Sequence, residues 1–219
     1  MMSAYRLVVF DFDGTVADTA AHIVATSHAM LRVMGFPDIQ DEAIRQTIGL
    51  PFEQCLAIMT KCDDEAVIDH CAEVYRHLFF EQKEAIATLF PTVKDTLRSI
   101  RESGILLGVA TSRSKCSLDL LCQQMGIDGM FHRCMAYEDA EQKKPAPEMV
   151  LKLLDYFQVS ADDTLVVGDT IYDIQMGQRA GCDTCGVTYG NHTRAQLTAQ
   201  HATYVIDRFG DLMDVLQIR

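Results

Sequence analysis

The apolar run Leu7-Val8-Val9-Phe10, passing directly into Asp11-Phe12-Asp13-Gly14-Thr15, constrains this chain more than any other segment. A short, β-branched run without polar interruption reads as a parallel strand buried on both faces. Open α/β sheets gather their ligands at the carboxyl ends of such strands, where Asp11 and Asp13 stand. A spacing of two in extended chain turns both carboxylates the same way and sends Phe12 back into the core. Gly14 permits a sharp exit at positive φ. Two acids this close repel unless a cation sits between them. The segment therefore reads as a site for a divalent metal and an aspartyl nucleophile. An Asp-Gly after a strand also makes an ordinary turn, and the choice between the two rests on three later segments.

The rest of the chain alternates strands and helices, with one interruption. Beyond Thr15 the pattern is helical to about residue 88. A segment capped by Asp18 carries Ile23, Ser27, Met30 and Met34 on one stripe and ends at Gly35. Short helices are expected near 41–48 and 51–60, and a longer one from Asp64 to Gln82. From Pro91 helices and apolar runs alternate, with strands expected at Ile105–Ala110, Phe131–Met135, Thr164–Val167, Thr184–Val187 and Tyr204–Ile206, then a terminal helix. This predicts an α/β fold: a doubly wound, Rossmann-like parallel sheet formed by residues 1–15 and 91–219, with an α-helical cap domain of residues 16–90 inserted after the first strand.

The three later segments each put polar groups at the end of a βα unit. Thr111-Ser112-Arg113 follows Ile105–Ala110, and a hydroxyl with free backbone N–H groups ahead of a helix makes an anion seat, or else an ordinary helix cap with Ser114. Lys144, held among Lys143-Lys144-Pro145-Ala146-Pro147, can fix its ammonium at one point as a phosphate counter-ion, whereas Lys143 suits solvent better. Gly168-Asp169-Thr170-Ile171-Tyr172-Asp173 repeats the opening logic, and Asp169 can complete an oxygen-rich magnesium site.

Together these segments resemble the haloacid dehalogenase superfamily of phosphohydrolases over the whole chain, and the helical insert resembles the mobile cap of its phosphoglycolate phosphatase branch. The matching residues are Asp11-x-Asp13-Gly14-Thr15, Thr111-Ser112, Lys144-Pro145-x-Pro147 and Gly168-Asp169-Thr170-x-x-Asp173. The resemblance implies a Mg²⁺-dependent phosphatase acting on a small phosphomonoester. Asp11 would be the nucleophile and Asp13 the general acid and base. Gly14, Thr111, Ser112 and Lys144 would hold the phosphate. The metal would take the Asp11 and Asp169 side chains and the Asp13 main-chain carbonyl, with Asp173 behind it orienting a bound water or Lys144. The dehalogenases of that superfamily lack the second aspartate, so Asp13 favours phosphate chemistry.

Composition narrows the partners. The formal net charge of −12 argues against nucleic acid or an anionic membrane surface. No apolar stretch approaches a membrane span, and Met1–Arg6 is no signal peptide. Eight scattered cysteines read as reduced thiols of a cytoplasmic protein, Cys182-Asp183-Thr184-Cys185 included. The expected partner is a small phosphorylated metabolite, and the expected assembly a monomer or homodimer.

Residues 16–90 hold twelve acids and five bases, so the cap favours no densely anionic leaving group. The loop Thr47–Gln54 lacks the basic residues that phosphosugar mutases of the superfamily use there, and its Leu50 and Phe52 either face the leaving group or pack inside the cap. The cap lysines Lys61 and Lys83 lie in polar settings unsuited to the Schiff base of a phosphonatase. Arg113 either greets a carboxylate or second anion, or is solvated or paired with an acid. Pyrophosphatase and mutase activities remain the alternatives.

Overall fold

The computed structural model describes residues 5–81 and 87–218. Lys83, the expected helix end at Gln82 and residues 1–4 lie outside them. β1 (Leu7–Phe10) is central in a six-stranded sheet, between β4 (Leu106–Ala110) and β6 (Thr164–Gly168). Beyond β4 lies β5 (Arg133–Met135); beyond β6 lie β7 (Asp183–Val187) and β8 (Tyr204–Ile206). Every pairing in this sheet is parallel. The chain winds outward from β1 in both directions, so the topological switch lies at the carboxyl end of β1, where such sheets open a crevice.

Alternation along β1 explains why the strand has no polar residue. Val8 and Phe10 join one core with Val93, Leu97 and Ile100 of α5 (Val93–Glu102) and Leu118 of α6 (Lys115–Gln124). Leu7 and Val9 join the other, with Met149, Val150 and Leu153 of α7 (Glu148–Phe157) and Met176 of α8 (Ile171–Arg179). A strand covered on both faces must be apolar at every position.

Among the described residues between β1 and α5 run four helices, α1 (Ala20–Val33), α2 (Asp41–Arg45), α3 (Phe52–Thr60) and α4 (Glu65–Glu81). Met30 and Leu31 of α1, Leu56 and Met59 of α3, and Cys71 and Tyr75 of α4 are buried in one continuous core. The chain enters and leaves this helical segment through a two-residue antiparallel ribbon, β2 (Ala17–Asp18) against β3 (Thr88–Leu89). The ribbon corrects one expectation. Asp18 is a strand residue, and Thr19 precedes the helix instead. Two-residue strands are too short to carry a period, so nothing in the local pattern marked them.

A short helix, α9 (Arg194–Ala199), was also unforeseen, although its capping box Thr193-x-x-Gln196 is a readable start signal. The terminal helix, α10, is Leu212–Val215. Cys182 and Cys185 are buried and free. Among the described residues no helix is long and apolar enough to cross a membrane.

Candidate active site

Four strand ends and loops converge on one buried cluster of charge. Asp11 continues β1, its backbone N–H donating to the Val167 carbonyl at 2.8 Å. The extended path turns Phe12 fully into the core. Asp169 ends β6, Asp173 lies in the first turn of α8, and Lys144 comes from the loop ahead of α7. The Lys144 ammonium, wholly buried, donates to Asp11 Oδ1 at 2.5 Å and to Asp173 Oδ1 at 2.7 Å. The other oxygen of Asp173 accepts from the backbone N–H and the hydroxyl of Thr170, which fixes the carboxylate behind the lysine.

Asp169 is held separately. Its Oδ1 accepts from the Thr15 hydroxyl at 3.1 Å, and its Oδ2 from the backbone and side-chain N–H groups of Asn191 at 2.7 and 2.8 Å. Asn191 and Gly190 are functional positions that sequence reasoning missed. Gly190 allows close approach: a Cβ there would collide with the Asp169 side chain and the Gly14 carbonyl. They follow β7 with no motif of their own, and only the fold brings them to Asp169.

Carboxylate oxygens of Asp11, Asp169 and Asp173 lie within 4.8 Å of one another, all buried. Three acids face one ammonium here, so the site as it stands carries excess negative charge. Burial pushes the Asp11 carboxyl well above the usual range, with Asp173, Asp169 and Asp13 adding to the shift and Lys144 opposing it. Burial and the charge of Asp173 push Asp169 up to about 7, against the bonds from Asn191 and Thr15. Burial alone would lower the Lys144 pKa, but Asp11 and Asp173 outweigh it and hold the ammonium charged. An all-oxygen, over-negative, buried donor set fits a hard divalent cation, which would oppose both upward shifts by favouring the charged carboxylates.

Asp13 stands apart from this cluster. Arg113 grips its carboxylate with Nη2 at 2.6 Å from Oδ1 and Nε at 2.9 Å from Oδ2, and the Thr19 hydroxyl adds a bond of 2.6 Å. Arg113 is thus the acid-paired arginine of the two alternatives, with Nη1 on the Ser117 hydroxyl and its plane over Phe79. Gly14, expected at the phosphate, makes the turn itself. At φ +86° its N–H closes the turn onto Ala17 at 2.8 Å, and its backbone packs against Asp169 and Asn191. Thr111 is buried at the end of β4 and accepts from the Arg113 backbone N–H, while the Ser112 hydroxyl reaches the Gly49 carbonyl at 3.4 Å. Lys143 is held by the Tyr137 and Ala140 carbonyls rather than left in solvent.

A cavity of about 500 Å³ opens from Asp11, Asp13 and Thr111 toward the helices, with Leu50 and Phe52 on its wall. Besides lining the cavity, the Phe52 ring packs edge-on against Tyr75 at 4.9 Å and under Arg76.

Residues 8–187 match the family model described as haloacid dehalogenase-like hydrolase. A protein of Dickeya dadantii (strain 3937) named "Probable phosphatase IndB" is 34% identical over 211 residues, covering 94% of this chain and 91% of its own length. A protein of Vibrio vulnificus (strain YJ016) named phosphoglycolate phosphatase is 27% identical over 221 residues, covering 97% and 96%. A solved haloacid dehalogenase-like hydrolase structure from Bacteroides fragilis superposes with a TM-score of 0.90 at 27% identity, covering 95% of this chain and 99% of that one. The chain belongs to the haloacid dehalogenase-like hydrolases.

Proposed function

We propose that the protein is a Mg²⁺-dependent phosphatase that hydrolyses a small phosphomonoester through an aspartyl-phosphate on Asp11. The observation that carries this reading is the buried Lys144 ammonium bridging Asp11 and Asp173, in a cluster with Asp169 whose Asp11 lines a cavity. A carboxylate attacks an anionic phosphate only where cations cancel the repulsion. Lys144 supplies one positive charge, and Asp173 keeps it aimed at Asp11. Asp11 and Asp169, with the Asp13 carbonyl, would hold Mg²⁺, which would neutralise charge on the phosphoryl oxygens. Thr111 and Ser112 would seat the phosphate. Asp13, placed by Arg113 and Thr19, would take up a proton from solvent, give it to the leaving oxygen and later take one from the water that cleaves the acyl phosphate. Phosphoglycolate, the substrate in the name of the Vibrio relative, is the natural first compound to try. Release of free phosphate from 4-nitrophenyl phosphate, dependent on Mg²⁺ and absent in chelator, tests the reading; pyrophosphate in the same assay tests its nearest alternative.

The helices α1–α4 would act as a lid, hinged near Thr15–Asp18 and Leu89–Thr92. The β2–β3 ribbon supports this, since both crossings run through it. A lid shields the acyl phosphate from bulk water while admitting one molecule.

Two outcomes are expected for the metal. Asp169 has a folded-state pKa near 7 against about 3.9 unfolded. A carboxyl raised on folding favours the folded state at low pH and loses that advantage as pH rises through the folded value. Metal-free protein should therefore lose stability between about pH 4 and pH 7, and Mg²⁺ should restore it. The gain in Tm on adding Mg²⁺ should be larger at pH 7.5 than at pH 5.0; equal gains would contradict the site. Asp169→Ala should also raise the Mg²⁺ concentration needed for half-maximal activity more than Asp173→Ala does. A metal titration giving the reverse order would exchange their roles.

A further inference from the structure

The cavity narrows the substrate further than the reaction class does. Its volume of about 500 Å³ falls in the range of pockets that bury drug-sized ligands. A leaving group of two carbons would leave most of that space to water. Ile23, Leu50, Phe52, Met59, Tyr75 and Phe79 give the cavity a largely apolar wall. Water in an apolar cavity finds few partners, so an apolar ligand displaces it favourably.

Charge disfavours a second anion. Among the described residues the lining has four acids, Asp11, Asp13, Glu53 and Glu138, and two cations, Arg76 and Arg113. Arg113 already places Nε and Nη2 on Asp13 and Nη1 on Ser117, so the Asp13 carboxylate balances its charge. Arg76 is exposed, its guanidinium 5.7 Å from the centre of the Phe52 ring. A substrate carboxylate at Arg113 would have to share that cation with the Asp13 carboxylate, beside the group assigned to acid–base work. Among the described residues of the lining, one fully buried polar atom has no partner. The Ser27 hydroxyl is wholly buried, has no hydrogen-bond partner and borders the cavity one helical turn after Ile23. A buried polar atom in that position asks for a partner from the ligand.

We propose that the preferred substrate is the phosphate ester of an uncharged, largely apolar alcohol of aromatic-ring size, carrying a hydrogen-bonding group for Ser27. This rests on the phosphatase reading for the ester, but its test does not depend on turnover. Calorimetric titration of the full chain with Mg²⁺ compares two non-hydrolysable phosphonates, 3-phenylpropylphosphonate and the carboxylated 3-phosphonopropionate. The phenyl compound should bind at least ~10-fold tighter, a difference of about 1.4 kcal/mol. One of its ring-hydroxylated isomers should bind tighter still to the wild type and lose that gain in Ser27→Ala. Equal binding, or preference for the carboxylate, would overturn the proposal; absence of any gain among the hydroxylated isomers would overturn the part assigned to Ser27. Turnover of 4-nitrophenyl phosphate, measured on the same protein, judges the phosphatase reading separately.

Discussion

Asp11→Asn should fold and lose turnover by at least ~10⁴-fold, the scale on which removing a covalent nucleophile acts in other enzymes. The fold should survive because Lys144 keeps Asp173, 2.7 Å away, as its partner. Metal-free stability should not fall at neutral pH. Burial and three neighbouring carboxylates disfavour charge on Asp11, and a neutral amide of the same shape relieves that cost. Expected together, then, are a melting temperature in chelator at pH 7.5 equal to or above that of the wild type, and no measurable kcat. Near-normal kcat would remove Asp11 from the chemistry, and a collapse in stability would show the loss of activity to be indirect.

Asp13→Asn should be slower by ~10²–10⁴-fold, since the nucleophile remains and only proton transfer is lost. The loss should depend on the leaving group: an alkoxide needs its proton as it departs, and a nitrophenolate hardly does. The ratio of kcat/KM for 4-nitrophenyl phosphate to that for an alkyl phosphate should therefore rise in the variant. Arg113 complicates this in a checkable way. Its bidentate grip on Asp13 weakens when the carboxylate becomes an amide, so the melting temperature must be read alongside. Equal losses for both leaving groups, with stability unchanged, would argue against Asp13 as the acid.

The sheet was legible because its central strands β1, β4 and β6 are short, mostly apolar runs that pass into polar motifs, and right-handed βαβ winding leaves few ways to arrange such units. Asp11, Lys144, Asp169 and Asp173 were legible for the same reason: each sits in or directly beyond a motif at a strand end, and the topology alone carries them to the switch point. What failed to show was set by contacts between distant segments. Asn191 and Gly190 meet Asp169 across 22 and 21 positions of sequence, and nothing local to them signals it. Gly14 was rightly read as a turn glycine, but its N–H is consumed by the turn it makes. The state of Arg113 depended on Asp13, 100 residues earlier; residue type alone allowed either a ligand or a partner. The β2–β3 ribbon escaped because four residues in two separate pieces carry no periodicity.

The central claim is that phosphate passes through Asp11. Holoenzyme turning over 4-nitrophenyl phosphate is quenched in acid, reduced with borohydride and digested, and the peptides are examined by mass spectrometry. An acyl phosphate at Asp11 would be converted to homoserine, so the account predicts that modification in the peptide spanning β1 and Gly14, and its absence both without substrate and in Asp11→Asn. Reduction at a different carboxylate, or steady turnover with Asp11 never modified, would contradict it.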